Sequence, residues 1–163
     1  MNPTRIEFID AYDWTDILRA SLAEGHNMIA RLLADFRGGV NRFDVPGEVL
    51  YAHLSGQVVV AVAGLNREFE PSYPRAARIR RLFVLPEYRG LGLACSLVGE
   101  LSRCAVLHFD TLTVNVGKLD ARGFYERLGF EAVQHPGITH VKELAPEHVV
   151  HTGTESGTSQ SLV

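Results

Sequence analysis

The chain has 163 residues, a net charge of -3 and a hydrophobic share of 46%. That length holds one full core, and that composition excludes a disordered or a membranous chain. The net charge gives no global reason to bind nucleic acid, and the longest apolar stretch, Val58 to Leu65, is the length of a strand rather than of a membrane span.

Met1 to Arg5 lacks the apolar region of a signal peptide, so a cytoplasmic location is expected. Arg5 to Ile9 alternates, with Ile6 and Phe8 on one side and Glu7 and Ile9 on the other, which predicts a first strand. Asp13 or Thr15 caps a helix that runs to about Glu24 and carries Ile17, Leu18 and Leu22 at helical spacing. Met28, Ile29, Leu32 and Leu33 mark a second helix that stops near Gly38-Gly39. Val49–Leu54 and Gln57–Asn66 read as a hairpin turned at Ser55-Gly56. Its second arm is apolar on both faces and belongs at the centre of a sheet.

A polar loop, Arg67 to Ala77, precedes a strand in which alternation breaks. Ile79, Leu82 and Val84 are its apolar positions, and a bulge near Arg80 or Arg81 would put all three on one face. The next helix buries Ala94, Leu97, Val98, Leu101 and Ala105. Thr111–Val116 is a strand, Lys118–Leu128 a helix closed by Gly129, and Phe130–Gln134 pairs with Ile138–Leu144. Residues 1–145 read as one domain, and the Thr-, Gly- and Ser-rich residues 146–163 as a disordered tail.

The segment Arg89-Gly90-Leu91-Gly92-Leu93-Ala94 joins a strand to a helix start. The first N–H groups of a helix lack partners and carry partial positive charge, glycine lets an anion approach them, and an arginine adds a phosphate-matching fork. The pattern is neither G-x-G-x-x-G nor Walker A, which argues against an unrelated nucleotide-binding protein. Arg75, Arg78, Arg80, Arg81 and Arg89 fall close together, as either a solvated face or a positive rim for a polyphosphate.

R-x-x-G-x-A, from Arg89 through Gly92 to Ala94, resembles the acetyl-CoA pyrophosphate loop of the GNAT superfamily of N-acetyltransferases. Phe124-Tyr125-Glu126-Arg127-Leu128-Gly129-Phe130 resembles that superfamily's second signature, a helix carrying a tyrosine before Gly-Phe. The resemblance spans roughly residues 48 to 143. It implies an α+β, three-layer fold: a mixed, mostly antiparallel sheet of about seven strands flanked by helices, with a bulged fourth strand splayed from its neighbour. It implies acetyl-CoA as acyl donor, with Leu82, Phe83 and Val84 along the pantetheine and Arg89, Gly90, Leu91, Gly92, Leu93 and Ala94 at the pyrophosphate. Acetyl transfer to a primary amine, small or peptidic, would follow, with a backbone N–H near Phe83 or Val84 polarising the thioester. Tyr125 would be the general acid; the alternative is a ring filling the helix–sheet interface. The first two helices would wall the acceptor, and homodimers are common among relatives.

Two positions depart from the resembled pattern. Arg78 stands where many relatives carry a glutamate base, which leaves Glu48, His53, Glu68 and Glu70 as options, or an amine deprotonated in bulk. Lys118 stands where an asparagine often holds the pantetheine; it would instead meet a phosphate of the cofactor or lie in solvent, and Asn115, one turn earlier, is the substitute or simply a helix cap. These departures also allow a CoA-binding module without catalysis. Cys95 and Cys104 lie nine apart on one helix, point to opposite sides and read as buried reduced thiols. His135 and His140 lack a third ligand, so no metal is expected.

Overall fold

Strand β3 (Val58–Arg67) is the centre of the structure, because its apolar run is buried at every position from Val59 to Asn66. The structure, a computed structural model, describes residues 1–117 and 119–145; the expected tail and Lys118 lie outside them. Strand β2 (Val49–Ser55) pairs antiparallel with β3 across a turn in which Gly56 takes φ 62°. Strand β4 (Ala76–Val84) pairs antiparallel on the other side. With β1 (Thr4–Arg5), β5 (Thr111–Val114), β6 (Glu131–His135) and β7 (Ile138–Glu143) the sheet has seven strands in the order β1-β2-β3-β4-β5-β7-β6. Every neighbouring pair is antiparallel except β4 with β5. The fold is thus the expected mixed, mostly antiparallel α+β sheet.

Helices α1 (Thr15–Ala23), α2 (Met28–Arg37), α3 (Leu93–Ala105) and α4 (Leu119–Arg127) flank it. Helix α2 buries Ile29, Leu32, Leu33 and Phe36 at helical spacing. Helix α3 buries Leu93, Leu97, Val98, Leu101 and Ala105. Leu93 thus takes the place expected for Ala94, and Cys95, two residues on, is turned away and exposed rather than buried. Cys104 is partly buried, with its sulfur 3.6 Å from the Tyr51 hydroxyl.

The first strand is shorter than alternation suggests. Only Thr4 and Arg5 pair as β1, Ile6 N–H adds one bond to Leu50, and residues 9–11 form a 3-10 turn. Ile6 and Ile9 are the buried pair, three apart as in a turn, while Phe8 is 73% exposed. The indole of Trp14 fixes this turn by donating to the Ile9 carbonyl at 2.7 Å. On α1, Leu22 is exposed; Ser21 takes the buried place, its hydroxyl reaching the His26 carbonyl at 3.2 Å.

Gly64, in β3, has a packing reason to be glycine. A Cβ there would overlap the buried ring of Phe43. Gly64→Ala is expected to cost about 1–3 kcal/mol, read as a lowered thermal midpoint; an unchanged midpoint would show that the ring yields.

Candidate active site

The site begins where the sheet parts. Strand β4 pairs with β5 only at Ala76, Ala77 and Arg78. From Ile79 onward β4 has β3 on one side and a cleft on the other. The bulge expected near Arg80 or Arg81 lies in the same stretch: Gly64 faces Arg80 and Val62 faces Phe83, so Arg81 and Leu82 together oppose Ala63. Arg81 sits at φ 60°, a conformation that glycine usually supplies in such bulges and that costs another residue about 1–2 kcal/mol.

Hydrogen-bond alternation fixes which amides face the cleft. Leu85 N–H donates to Val60 in β3 at 2.9 Å, so the amide of Val84 points away from β3. Arg89 Nε donates to the Val84 carbonyl at 3.0 Å from that side. The cleft has a volume of about 920 Å³. Leu82, Phe83, Val84, Arg89, Gly90, Gly92, Leu93, Ala94, Asn115 and Tyr125 all line it. Leu91 is exposed but is not in its wall, and Lys118 lies outside the described residues.

The glycine turn is built as an open helix mouth. Gly90 and Gly92 take φ 78° and 79°, and Ser96 N–H makes the bond to the Gly92 carbonyl that opens α3. The N–H groups of Leu93, Ala94 and Cys95 therefore have no partner within the helix. A Cβ on either glycine would meet nothing within 4 Å, so backbone conformation, not crowding, demands glycine there. Arg89 is tied to α1, with Nη2 2.8 Å from Glu24, and its guanidinium stacks 5.3 Å from the Phe83 ring centre.

Tyr125 stands across the cleft from β4. Its ring packs edge-on against Phe124 and Phe130, with centroids 5.0 and 5.3 Å away. Burial alone pushes its phenol up to about 12, so it is neutral at ordinary pH. Its helix is pinned from behind. His140, fully buried on β7, reaches Glu126 through Nε2 at 3.1 Å, and Thr139 accepts from Val116 N–H at 2.9 Å.

None of the four candidate bases lines the cleft. Glu68 accepts from Arg78 Nε at 2.6 Å and from Thr113 at 2.9 Å. Burial opposes its charge, but those bonds overcome it and hold the carboxyl below its usual range. Glu68 thereby ties the 68–75 loop to β4 and β5 at the point where they part. Glu68→Ala strands both donors and is expected to cost about 1–3 kcal/mol, or roughly 2–4 °C of thermal midpoint per kcal/mol; a wild-type midpoint would contradict this. Glu70 accepts from Ser72 and lies 3.4 Å from His135, and Glu48 accepts from Arg67 N–H at 3.0 Å. His53 is fully buried, its Nε2 3.1 Å from Ser96 and its pKa pushed down by burial. Instead the wall includes Glu24, His26 and Met28 from the α1–α2 junction. The resemblance implied those helices as walls, but the sequence carried no local pattern that singles out these side chains.

A sheet opened beside a bulge, facing a glycine-turned helix mouth, defines an acyltransferase-type cleft. Residues 46–132, more than half the chain, match the family described as the Acetyltransferase (GNAT) domain. The chain belongs to that family, whose members are acyl-CoA-dependent N-acyltransferases. A protein from Exiguobacterium sp. 255-15 described as an acetyltransferase is 32% identical, with a TM-score of 0.77 over 88% of this chain and 94% of that one. A GNAT-family acetyltransferase from Staphylococcus aureus Mu50 shares the fold at 17% identity, with a TM-score of 0.69 over 88% and 99%. The Bacillus subtilis N-acetyltransferase YlbP, in complex with coenzyme A, shares it at 16% identity, with a TM-score of 0.58 over 87% and 95%. No curated protein matches the sequence.

Proposed function

We propose that this protein moves an acetyl group from acetyl-CoA to a primary amine by direct attack. The observation that carries the reading is that the Val84 amide and Tyr125 line one cleft whose mouth is the Gly90–Gly92 turn. The fold of YlbP, which binds coenzyme A, supports the choice of cofactor. In this reading the amides of Gly90 and of residues 92–95, with Arg89, hold the pyrophosphate. The open edge of β4 at Leu82, Phe83 and Val84 pairs with the pantetheine, and Asn115 holds its far side. The Val84 N–H stabilises charge developing on the thioester oxygen, as an oxyanion donor does. Tyr125 donates its proton to the departing sulfur. The amine arrives as free base, so no carboxylate base is needed in the cleft.

Initial rates of thiol release, with acetyl-CoA and amine varied together, test the reading. Direct attack gives intersecting reciprocal plots. Parallel plots, the sign of an acetylated enzyme, would overturn it, and the exposed Cys95 in the cleft wall would then be the residue to examine.

A further inference from the structure

Among the described residues, the arginines at the β4 bulge outnumber the carboxylates paired with them. Arg80 and Arg81 lie at the β4 bulge and line the cleft. Arg80 is exposed and has no ion pair among the described residues. Arg81 has a side chain only 13% exposed, and the carboxylate paired with it, Asp35 on α2, is 3.8 Å away. Burial, then the charges of Arg80 and Arg31, lower the pKa of Arg81, and Asp35 offsets them only in part. Among the described residues, Asp35 is thus the one carboxylate that offsets the charges of Arg80 and Arg31 at Arg81. The bulge also holds Arg81 in a backbone conformation that glycine would adopt freely, which marks the side chain rather than the turn as the useful part.

Their position matters as much as their charge. Arg80 and Arg81 precede Leu82–Val84 on β4, so they lie beyond the thioester end of the pantetheine path. The glycine turn read as the pyrophosphate site is at the other end. This placement rests on the proposed function above.

We infer that the acceptor is a small amine carrying a carboxylate, an amino-acid type substrate, whose carboxylate is gripped by Arg80 and Arg81. A guanidinium fork matches a carboxylate in two-point geometry. A polycationic acceptor would instead meet like charge. The same arginines disfavour the protonated amine, which supplies the nucleophile in a cleft wall that lacks the candidate bases. In the step, the amine nitrogen bonds to the acetyl carbon and the carbon–sulfur bond breaks. The amine proton leaves to water, and the thiolate takes the Tyr125 proton, which water restores.

The test is thiol release from acetyl-CoA with the twenty common L-amino acids, their α-carboxamides and spermidine. At least one amino acid is expected to exceed its carboxamide in kcat/KM by about tenfold or more. Arg80→Gln should abolish that preference while leaving the Kd for acetyl-CoA unchanged. Arg81→Gly, which relieves the backbone, should fold and do the same. Preference for carboxamides or spermidine would overturn the inference, as would a preference that survives both substitutions. So would acetyl-CoA binding with no amino acid turned over, which leaves the cofactor reading intact. Absence of acetyl-CoA binding would remove that reading and this inference together.

Discussion

Tyr125→Phe is expected to lower the rate of the acetyl-transfer step by roughly 10²–10⁴-fold, the usual worth of a positioned general acid. The affinity for acetyl-CoA should hold, because the phenyl ring keeps its edge-on contacts with Phe124 and Phe130. The measurement is a single-turnover rate, so that slow product release cannot hide the chemical step. A wild-type rate would mean that the ring only fills the helix–sheet interface. The pH dependence follows from the same burial. A free phenol titrates near 10, whereas Tyr125 is pushed up to about 12. The proton it donates is therefore retained well beyond neutral pH, and no basic limb from Tyr125 should fall below about pH 10. The folded state also keeps this proton where the unfolded chain loses it. Its contribution to stability is full below the unfolded value and is lost as pH rises through about 12.

The second large effect is at the glycine turn. Gly90→Asp and Gly90→Asn place side chains of nearly equal size at φ 78°, a conformation that both residues tolerate. Each new Cβ enters open space, so the protein itself does not distinguish them. The cofactor's phosphates should. Acetyl-CoA is expected to bind the Asp variant at least tenfold more weakly than the Asn variant, or about 1.4 kcal/mol, with the gap narrowing as salt is raised. The Asp variant should be no less stable, because a negative charge near a helix N-terminus is favourable. Equal affinities would show that the anion sits elsewhere.

The parts of this molecule governed by local periodicity were legible in the sequence. The run from Val59 to Asn66 has no polar face, so β3 had to be central. The three-residue step from Ile79 to Leu82 broke a period of two, and a bulge stands there. What required tertiary contacts was not legible. Phe8 alternates correctly with Ile6, yet Ile9 is buried in its place because Trp14 pins the turn. Cys95 looked like part of an apolar helix, but the buried stripe starts at Leu93 and turns it outward. Glu68 was a plausible base by its position, and only the approach of Arg78 and Thr113 shows that it is engaged elsewhere. Arg81 looked like one basic residue among five. Its poorly balanced charge depends on Asp35, from a helix more than forty residues earlier.

Acetyl-CoA binding at the glycine turn is tested most simply by calorimetric titration into the folded protein, with Gly90→Asp alongside. Saturable binding of about one acetyl-CoA per chain is expected, weakened in the variant. No binding at millimolar acetyl-CoA, with the protein shown to be folded, would contradict it and leave the Arg89–Ala94 turn as a connection between a strand and a helix.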